Sequence, residues 1–503
     1  MNETRAAESS RRVARPPVQW PLLVVFLAFV LSRVGYYAAG VRFDMSTLPQ
    51  FFQFVAPALL KANLGQSLWY LHSQPPMFNL FLGIVLNLFP GHEAAVCAAC
   101  YVLLGLAFAV TLFLLLRGFG ISDGLSAAAS ALYIASPTVV LYENWLFYAY
   151  PVTVLLLLSA LLWQRFVNRG RFVDALAFFV CAATVALTWS LFHLVWLFGL
   201  AVALLLLRRR EWRKVLAAAA IPLLVVTFWY GKNLVQFGQF TGSTWFGMNF
   251  ARIAGIAVSD QELRMMRNSG AISAVSLVHP FRSPDEYYSA VPKPRPTGIA
   301  VLDQEKKPSG ASNLNNIVYV AVSRQYGRDA LRILAAYPDA YLRGLVEAYL
   351  DYFLPASSYA FLAVNNAHIA GFARFVNTAL NGSLSQHWDA RLASDQPVRY
   401  ILQGLLNVGW FLFLAYAVVF ILGLVLLRRR SLFRALRLPM MFLWLNIAWV
   451  TLVSNTVEVG ENNRFRFTAD PLVFVFLLVV AVTFLGVKAT LQTESASSTC
   501  GSR

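Results

Sequence analysis

The stretch WPLLVVFLAFVLSRVGYYAA, from Trp20 to Ala39, decides the fold class, because it holds twenty residues and a single charged side chain, Arg33. A helix of that length covers about 30 Å, the thickness of the hydrocarbon core of a bilayer. The stretch is too long for the apolar core of a signal peptide and lacks the usual small-residue cleavage site. It therefore predicts a retained membrane anchor, with the polar, Arg-rich residues 1–18 as a cytoplasmic arm.

Apolar runs of similar length recur along the whole chain. Hydrophobic residues make up 58% of the 503 residues and charged residues only 13%, whereas soluble domains contain about 25% charged residues. Further runs lie at 94–116, 125–142, 145–164, 172–188, 190–207, 213–231, 400–427, 438–455 and 468–487. We predict an all-α polytopic protein of the inner or plasma membrane, with about 10–11 transmembrane helices.

The positive charge of the chain is concentrated beside these apolar runs. The net charge is +17, and Lys and Arg gather at Arg117, Arg165–Arg171, Arg208–Lys214 and Arg428–Arg437. The positive-inside rule places these clusters in the cytoplasm, so the charge indicates topology, and we expect no nucleic-acid partner. Four regions then lie outside: residues 41–75, the turn at Glu143-Asn144, residues 232–399 and residues 456–467.

This topology divides the chain into two transmembrane modules separated by an external region. The predicted units are the N-terminal module 19–231 with its external loop 41–75, the large extracytoplasmic loop 232–399, the C-terminal module 400–488 and a cytoplasmic tail 489–503. The large loop is long enough for a small mixed domain. Within loop 41–75, the amphipathic stretch Phe51–Lys61 and the following Trp69 predict helices that lie in the membrane interface.

Residues 76–90 do not fit this topology as a full span. This short apolar run ends at Pro90-Gly91. If it is counted as a span, every later loop is assigned to the opposite side of the membrane. Either the run is re-entrant or steeply tilted, or one basic cluster has been given the wrong side. We favour the former, with about ten true spans plus this partial one.

Several familiar catalytic motifs are missing from the sequence. It contains no Gly-rich phosphate loop, dinucleotide fingerprint, HExxH motif or serine nucleophile elbow. It also lacks an Asp-x-Asp pair of the kind with which soluble nucleotide-sugar transferases hold a metal. The external histidines His279, His368 and His387 have no metal-ligand spacing among them, so a metal-independent reaction without a cofactor is the expectation. A chain with charged external clusters and no nucleotide site is expected to use an activated group already attached to lipid.

Three short motifs lie in the regions assigned to the outside: Arg42-Phe43-Asp44, His72-Ser73-Gln74-Pro75-Pro76-Met77-Phe78-Asn79, and Glu461-Asn462-Asn463-Arg464-Phe465-Arg466. In order and sidedness they resemble the glycosyltransferase C superfamily, in its protein-O-mannosyltransferase and aminoarabinose-transferase-like branch. Members of that branch have an acid in the first external loop, a Pro-Pro-hydrophobic motif at the second apolar segment and a Glu/Arg-containing turn before a late span. Asp44 is followed by Met45, where many members have a second acid.

Asp44 is the candidate general base. Transfer of a sugar to a hydroxyl needs the hydroxyl proton removed as the bond to C1 forms, and a partly desolvated carboxylate can accept it. The resemblance implies that the reaction inverts the anomeric carbon, which argues against Asp44 as a nucleophile. The structural alternative is an interfacial carboxylate paired with Arg42 or Arg33.

Arg464 and Arg466 are the candidate phosphate ligands. They alternate around Phe465, so in an extended turn they would share one face and bind a polyprenyl phosphate by paired hydrogen bonds. The alternative is that both contact lipid headgroups. Glu461 is expected to orient one of the two arginines, and Glu458 is a weaker candidate.

Four other polar residues are candidates for substrate binding. His72 and Gln74 are positioned by the Pro-Pro turn, and His72 is a candidate to hydrogen-bond the phosphate or help bind a metal. The alternative for His72 is a structural role. Lys61 is a candidate phosphate contact from the interfacial helix, with snorkelling to headgroups as the alternative. Glu143 occupies the external end of a hairpin, where related enzymes often have a further polar residue.

The sequence thus predicts a membrane glycosyltransferase with an active site on the extracytoplasmic face. It would move a sugar from a polyprenyl-phosphate-linked donor to an extracytoplasmic protein, lipid or polysaccharide, with membrane lipids as its surroundings. The rival interpretation is a transporter or flippase, or a non-catalytic envelope-assembly protein, that binds lipid-linked glycans without breaking a bond.

Overall fold

The structure of the chain is a computed structural model that describes residues 19–385, 397–428 and 436–500. The residues outside these ranges are the predicted cytoplasmic arm 1–18, residues 386–396 of the predicted external loop, residues 429–435 of the predicted cytoplasmic cluster Arg428–Arg437, and the last three residues of the predicted tail.

The regular elements of the described residues are helices, which we number α1 to α23 in chain order. Those up to the predicted external loop are α1 Gln19–Ala38, α2 Pro57–Ala62, α3 Leu64–Trp69, α4 Met77–Leu88, α5 Glu93–Gly118, α6 Asp123–Ile134, α7 Pro137–Glu143, α8 Ala149–Arg169, α9 Phe172–Thr188, α10 Leu194–Leu207 and α11 Trp212–Phe237. The others are α12 Phe246–Gly255, α13 Asp260–Asn268, α14 Ala300–Asp303, α15 Val318–Ala336, α16 Pro338–Tyr352, α17 Ala363–His368, α18 Ala370–Ala379, α19 Pro397–Asn407, α20 Trp410–Arg428, α21 Arg437–Val457, α22 Asn462–Phe467 and α23 Asp470–Cys500.

Six described helices are long and apolar enough to cross a membrane: α1, α5, α8, α11 with the 3-10 turn before it, α20 and α21. The pair α6 and α7 passes the same test together but is bent by 62°. Four shorter apolar helices accompany them: α4, α9, α10 and the part of α23 up to Gly486. The prediction of an all-α polytopic membrane protein is confirmed, and helices α2 and α3 occupy the loop where interfacial helices were expected.

The bend between α6 and α7 falls inside the run predicted as one span at 125–142. Pro137 opens α7, and Ser136 before it has an extended conformation with ψ 144°. The proline ring disfavours helical backbone at the preceding residue and has no N–H to continue the hydrogen-bond ladder. The helix therefore breaks, and α7 points in a new direction toward the turn at Asn144.

Helix α4 corresponds to the segment that did not fit the topology. Its twelve residues cover about 18 Å, too little to cross a bilayer alone. At its start Asn79 accepts a hydrogen bond from the Val55 N–H at 2.8 Å, and at its end Asn87 donates to the Leu60 carbonyl at 3.0 Å. The helix thus runs alongside the chain segment 55–60.

The region predicted as a mixed domain is helical where the structure describes it, with one isolated bridge between Lys306 and Ser312 in place of strands. It has its own apolar core around Met248, Tyr319 and Tyr326. Gly247 allows α12 to touch α15, since a Cβ at this position would lie 1.8 Å from the Ser323 carbonyl oxygen.

The four regions predicted to lie outside meet at one end of the helix bundle. The Asp44 N–H donates to the Asn144 carbonyl at 2.8 Å, and the His72 ring contacts the Thr244 hydroxyl at 2.8 Å. Asn463 donates to the Pro355 carbonyl at 3.2 Å. These contacts bring the three sequence motifs to the same end, while the domain limits and the side of the membrane remain predictions.

Candidate functional site

A cavity of about 1050 Å³ opens at the end of the bundle where these regions meet. Its walls come from the α9–α10 turn, the segment that follows α11, helix α12, the end of α21 and helix α22. Nine aromatic side chains line it: Phe52, Tyr148, Trp189, Phe240, Trp245, Phe246, Phe281, Trp449 and Phe465. A large, mostly apolar concavity with a few converging charged groups is the usual form of a small-molecule site.

Arg464 is the main cation of the cavity. Its side chain is 3% exposed, and one terminal nitrogen pairs with the Glu461 carboxylate at 2.5 Å. The Nε and Nη1 atoms are buried and form no hydrogen bond with any described residue. A buried donor without a partner is costly, so the N–H groups of these two nitrogens are available to bind an anion.

Aromatic rings surround the Arg464 guanidinium. Its carbon lies 4.8 Å from the Phe147 centroid, 4.9 Å from Phe465 and 5.3 Å from Trp189, with Tyr359 and Tyr148 at 5.7 and 6.0 Å. Rings at these distances attract the cation and exclude water from it. Together with the Glu461 pair they fix the direction of the two free nitrogens.

Arg466 does not share this face, contrary to the expectation for an extended turn. Residues 462–467 form the helix α22, in which residues two apart point to opposite sides. The Arg466 Nε pairs with the Asp470 carboxylate at 3.1 Å, and its Nη1 donates to the carbonyls of Tyr352 and Leu354 at 2.7 and 2.8 Å. Arg466 therefore ties α22 to the end of α16 and does not line the cavity.

Glu458 is the second ionisable group of interest. It lies directly after α21, lines the cavity, and accepts a hydrogen bond from Arg252 Nη1 at 3.1 Å. Burial raises the pKa of Glu458 from 4.5 to about 7, with the neighbouring charge of Glu461 acting in the same direction and Arg252 opposing it. A carboxyl with a pKa near neutral can accept and release a proton at physiological pH.

Gln74 is the one residue of the Pro-Pro motif that reaches the cavity. Its side chain is buried, and its Oε1 atom has no hydrogen-bond partner among the described residues. Ser243, which also lines the cavity, donates to the Ser73 carbonyl at 2.5 Å. This bond holds the Pro-Pro motif against the segment after α11.

His72 is fully buried beside the cavity wall and does not line the cavity. Its Nε2 donates to the Asn315 carbonyl at 3.0 Å, so Nδ1 accepts from the Thr244 hydroxyl at 2.8 Å. Burial lowers the pKa of His72 to about 3. The neutral ring thus joins the first external loop to the long external region, and it offers no positive charge to a phosphate.

Asp44 lies at a different place from Arg464. Its backbone forms a parallel bridge with Trp145, and its carboxylate accepts from the Ser46 N–H at 2.8 Å. The Trp145 ring stacks on Phe147 at 4.5 Å, and Phe147 lies over Arg464. Asp44 itself is not among the residues that line the cavity.

Glu143 and Lys61 also lie away from the cavity. Glu143 is buried, receives two hydrogen bonds from Arg33 at 3.0 and 2.5 Å, and accepts a third from Tyr150 at 2.8 Å. Lys61 is nearly half exposed and pairs with Glu93 at 3.0 Å. The first arrangement joins α1 to α7 within the bundle, and the second joins two segments at its surface.

Two cavity residues received little or no weight in the sequence analysis. Glu458 sits three residues before Glu461 in the same polar turn, and that position was its only signal. Arg252 lies in the long external region, which carries no recognisable motif, and only the folded chain brings it to Glu458. In the described residues no group of three or more His, Cys, Asp or Glu side chains is placed to hold a metal ion.

No protein-family profile matches the chain, and no curated protein matches it in sequence. Among solved structures, the chain is similar to the crystal structure of the aminoarabinose transferase ArnT from Cupriavidus metallidurans in the apo state. The match has 15% sequence identity and a TM-score of 0.33, and it covers 86% of this chain and 77% of that chain.

Proposed function

We propose that the chain is a membrane glycosyltransferase that moves a sugar from a polyprenyl-phosphate-linked donor to an acceptor outside the cytoplasm. The observation that supports this most is the Arg464 guanidinium, which is buried at the cavity wall with two nitrogens unpartnered. Guanidinium N–H groups form strong, charge-assisted hydrogen bonds with phosphate oxygens. Since Nε and Nη1 point to different edges of the guanidinium, a lipid phosphate at this position would accept a hydrogen bond from one of them and gain from the exclusion of water.

The rest of the cavity suits the other parts of such a donor. The apolar wall formed by Leu191, Trp449 and Val453 offers contact for a prenyl chain, since burial of apolar surface contributes about 25 cal/mol per Å². The free Oε1 of Gln74 offers a hydrogen-bond acceptor to a sugar hydroxyl. Donor and acceptor held together in this space would react as in a unimolecular step, which removes much of the entropic barrier.

We assign the role of general base to Glu458 in place of Asp44. In the proposed step the acceptor oxygen attacks C1 of the sugar, and its proton passes to the Glu458 carboxylate. The bond from C1 to the phosphate oxygen breaks with its electron pair, so polyprenyl phosphate leaves bound to Arg464. Glu458 fits this role because it lines the same cavity as Arg464 and has a pKa near 7. The mechanism needs no metal.

The test is sugar transfer in membranes supplied with radiolabelled polyprenyl-phosphate sugars. Wild type, Glu458→Gln and Asp44→Asn are compared at matched expression, with donor retention by each purified protein as the folding control. We expect loss of transfer in Glu458→Gln with donor still bound, and transfer within about threefold of wild type in Asp44→Asn. Loss in Asp44→Asn alone would return the base to Asp44. Donor binding without transfer in any protein would favour a transporter or assembly protein.

A further inference from the structure

A second cavity, of about 280 Å³, lies between the last turns of α5 and α8. Helix α8 begins next to Tyr148 in the large cavity and ends at Arg169. Its twenty-one residues cover about 30 Å, so the second cavity lies at the opposite end of the bundle. The sequence analysis assigns that end to the cytoplasm.

Three arginines line this cavity: Arg117, Arg165 and Arg169. Arg117 pairs closely with Asp123 at 2.8 Å. Arg165 has a loose partner, since its Nε lies 3.9 Å from Asp174 and its side chain is 42% exposed.

Arg169 has no ion pair among the residues that the structure describes, and it is exposed at the helix end. The three cations thus face two carboxylates, and the excess positive charge lies at Arg165 and Arg169 on the mouth of the cavity. A pocket charged in this way attracts an anion.

The interior of the same cavity is partly apolar. Leu114 and Leu161 form its apolar wall, and the buried Gln164 donates to the Leu115 carbonyl at 3.4 Å. A Cβ at position 118 would lie 2.0 Å from the Gln164 Oε1 atom, so Gly118 is what allows this side chain to lie in the pocket. The cavity therefore combines a cationic mouth with an apolar wall.

We propose that this cavity binds the phosphate of an anionic phospholipid headgroup. Arg165 and Arg169 would hold the phosphate oxygens, Asn168 at the same rim would offer a further hydrogen bond, and the leucines would contact the start of the acyl chains. A lipid fits better than free phosphate because the pocket lies at the ends of two apolar helices, where headgroups are concentrated. Basic pockets at such positions select anionic lipids.

The test measures bound lipid in protein exchanged into bilayers that contain equal amounts of phosphatidylglycerol and phosphatidylcholine. The double variant Arg165→Gln with Arg169→Gln is compared with Arg210→Gln with Arg213→Gln, by native mass spectrometry. Arg210 and Arg213 are exposed at the same end of the bundle but do not line the cavity. The control thus removes the same charge from the same surface, and size-exclusion profiles check the folding of both variants.

We expect the pocket variant to retain about tenfold less phosphatidylglycerol than wild type, and the control variant to retain nearly as much. Equal loss in the two variants would overturn the proposal, because general attraction to the positive surface would then explain the lipid. A third arm adds inorganic phosphate at millimolar concentration. Displacement of the lipid by phosphate alone would overturn the assignment to a lipid and identify a site for a free anion.

Discussion

Replacement of Arg464 by Gln removes the guanidinium while keeping a polar side chain of similar length. One of the two free nitrogens is the group that the proposal assigns to the donor phosphate. A hydrogen bond to a charged group contributes about 1.5–3 kcal/mol. At 1.36 kcal/mol per tenfold change, kcat/KM for the donor should fall by about 10- to 100-fold. Arg464→Lys keeps a positive charge and an N–H donor, so its loss should be smaller.

The assay is the initial rate of sugar transfer at varied donor concentration, with Arg282→Gln as a matched control. Arg282 lines the same cavity but its side chain is 59% exposed, so its loss should change kcat/KM little. Glu461, left without its partner, is about one-third exposed and can be hydrated, so the variant should fold. If folded Arg464→Gln protein keeps kcat/KM within about threefold of wild type, the phosphate assignment is wrong.

Three further outcomes follow from the contacts. Because burial raises the pKa of Glu458 to about 7, kcat should rise with pH through that value. The contribution of Glu458 to the free energy of unfolding should decline as the pH rises from 4.5 to about 7, since the folded state favours its neutral form. A pH-rate profile tests the change in kcat, and thermal melts at several pH values test the change in stability. Glu143→Ala leaves Arg33 buried without its partner and should lower the free energy of unfolding by about 3–5 kcal/mol; an unchanged denaturation midpoint would contradict this. Lys61→Gln breaks the exposed pair with Glu93 and should cost less than about 1 kcal/mol with transfer unchanged; a large loss of transfer would restore Lys61 as a substrate ligand.

Much of the helix pattern could be predicted from the apolar runs. The predicted runs 20–39, 94–116 and 438–455 match α1, α5 and α21 closely, because each is bounded by polar or charged residues. The run 190–207 begins four residues earlier than α10, since Trp189 to His193 form a turn that lines the cavity. Hydropathy averaged over a span-length window does not register such a short turn, because Leu191 and Phe192 within it and the two apolar helices beside it keep the average high.

The site was predictable in its location and less so in its members. The positive-inside rule assigned the three motifs to the same side of the membrane, which predicted that they lie at one end of the bundle. Arg464, Glu461 and Gln74 line one cavity at that end. The prediction that Arg466 shares a face with Arg464 required residues 461–466 to be extended. A sequence of six residues does not determine whether that segment is extended or helical. Asp44 and His72 lie outside the cavity for a different reason, since their positions depend on partners a hundred or more residues away, such as Asn144 for the first.

The central claim is that the donor phosphate lies at Arg464, and photo-crosslinking tests it most directly. A polyprenyl-phosphate sugar with a diazirine on its first prenyl unit is bound to the protein, irradiated, and its attachment sites are mapped by peptide mass spectrometry. The claim predicts labels on Trp189, Trp449 and Phe465, which line the cavity with Arg464, and loss of these labels in Arg464→Gln. Labels concentrated near Asp44 or Lys61, and unchanged in that variant, would contradict it.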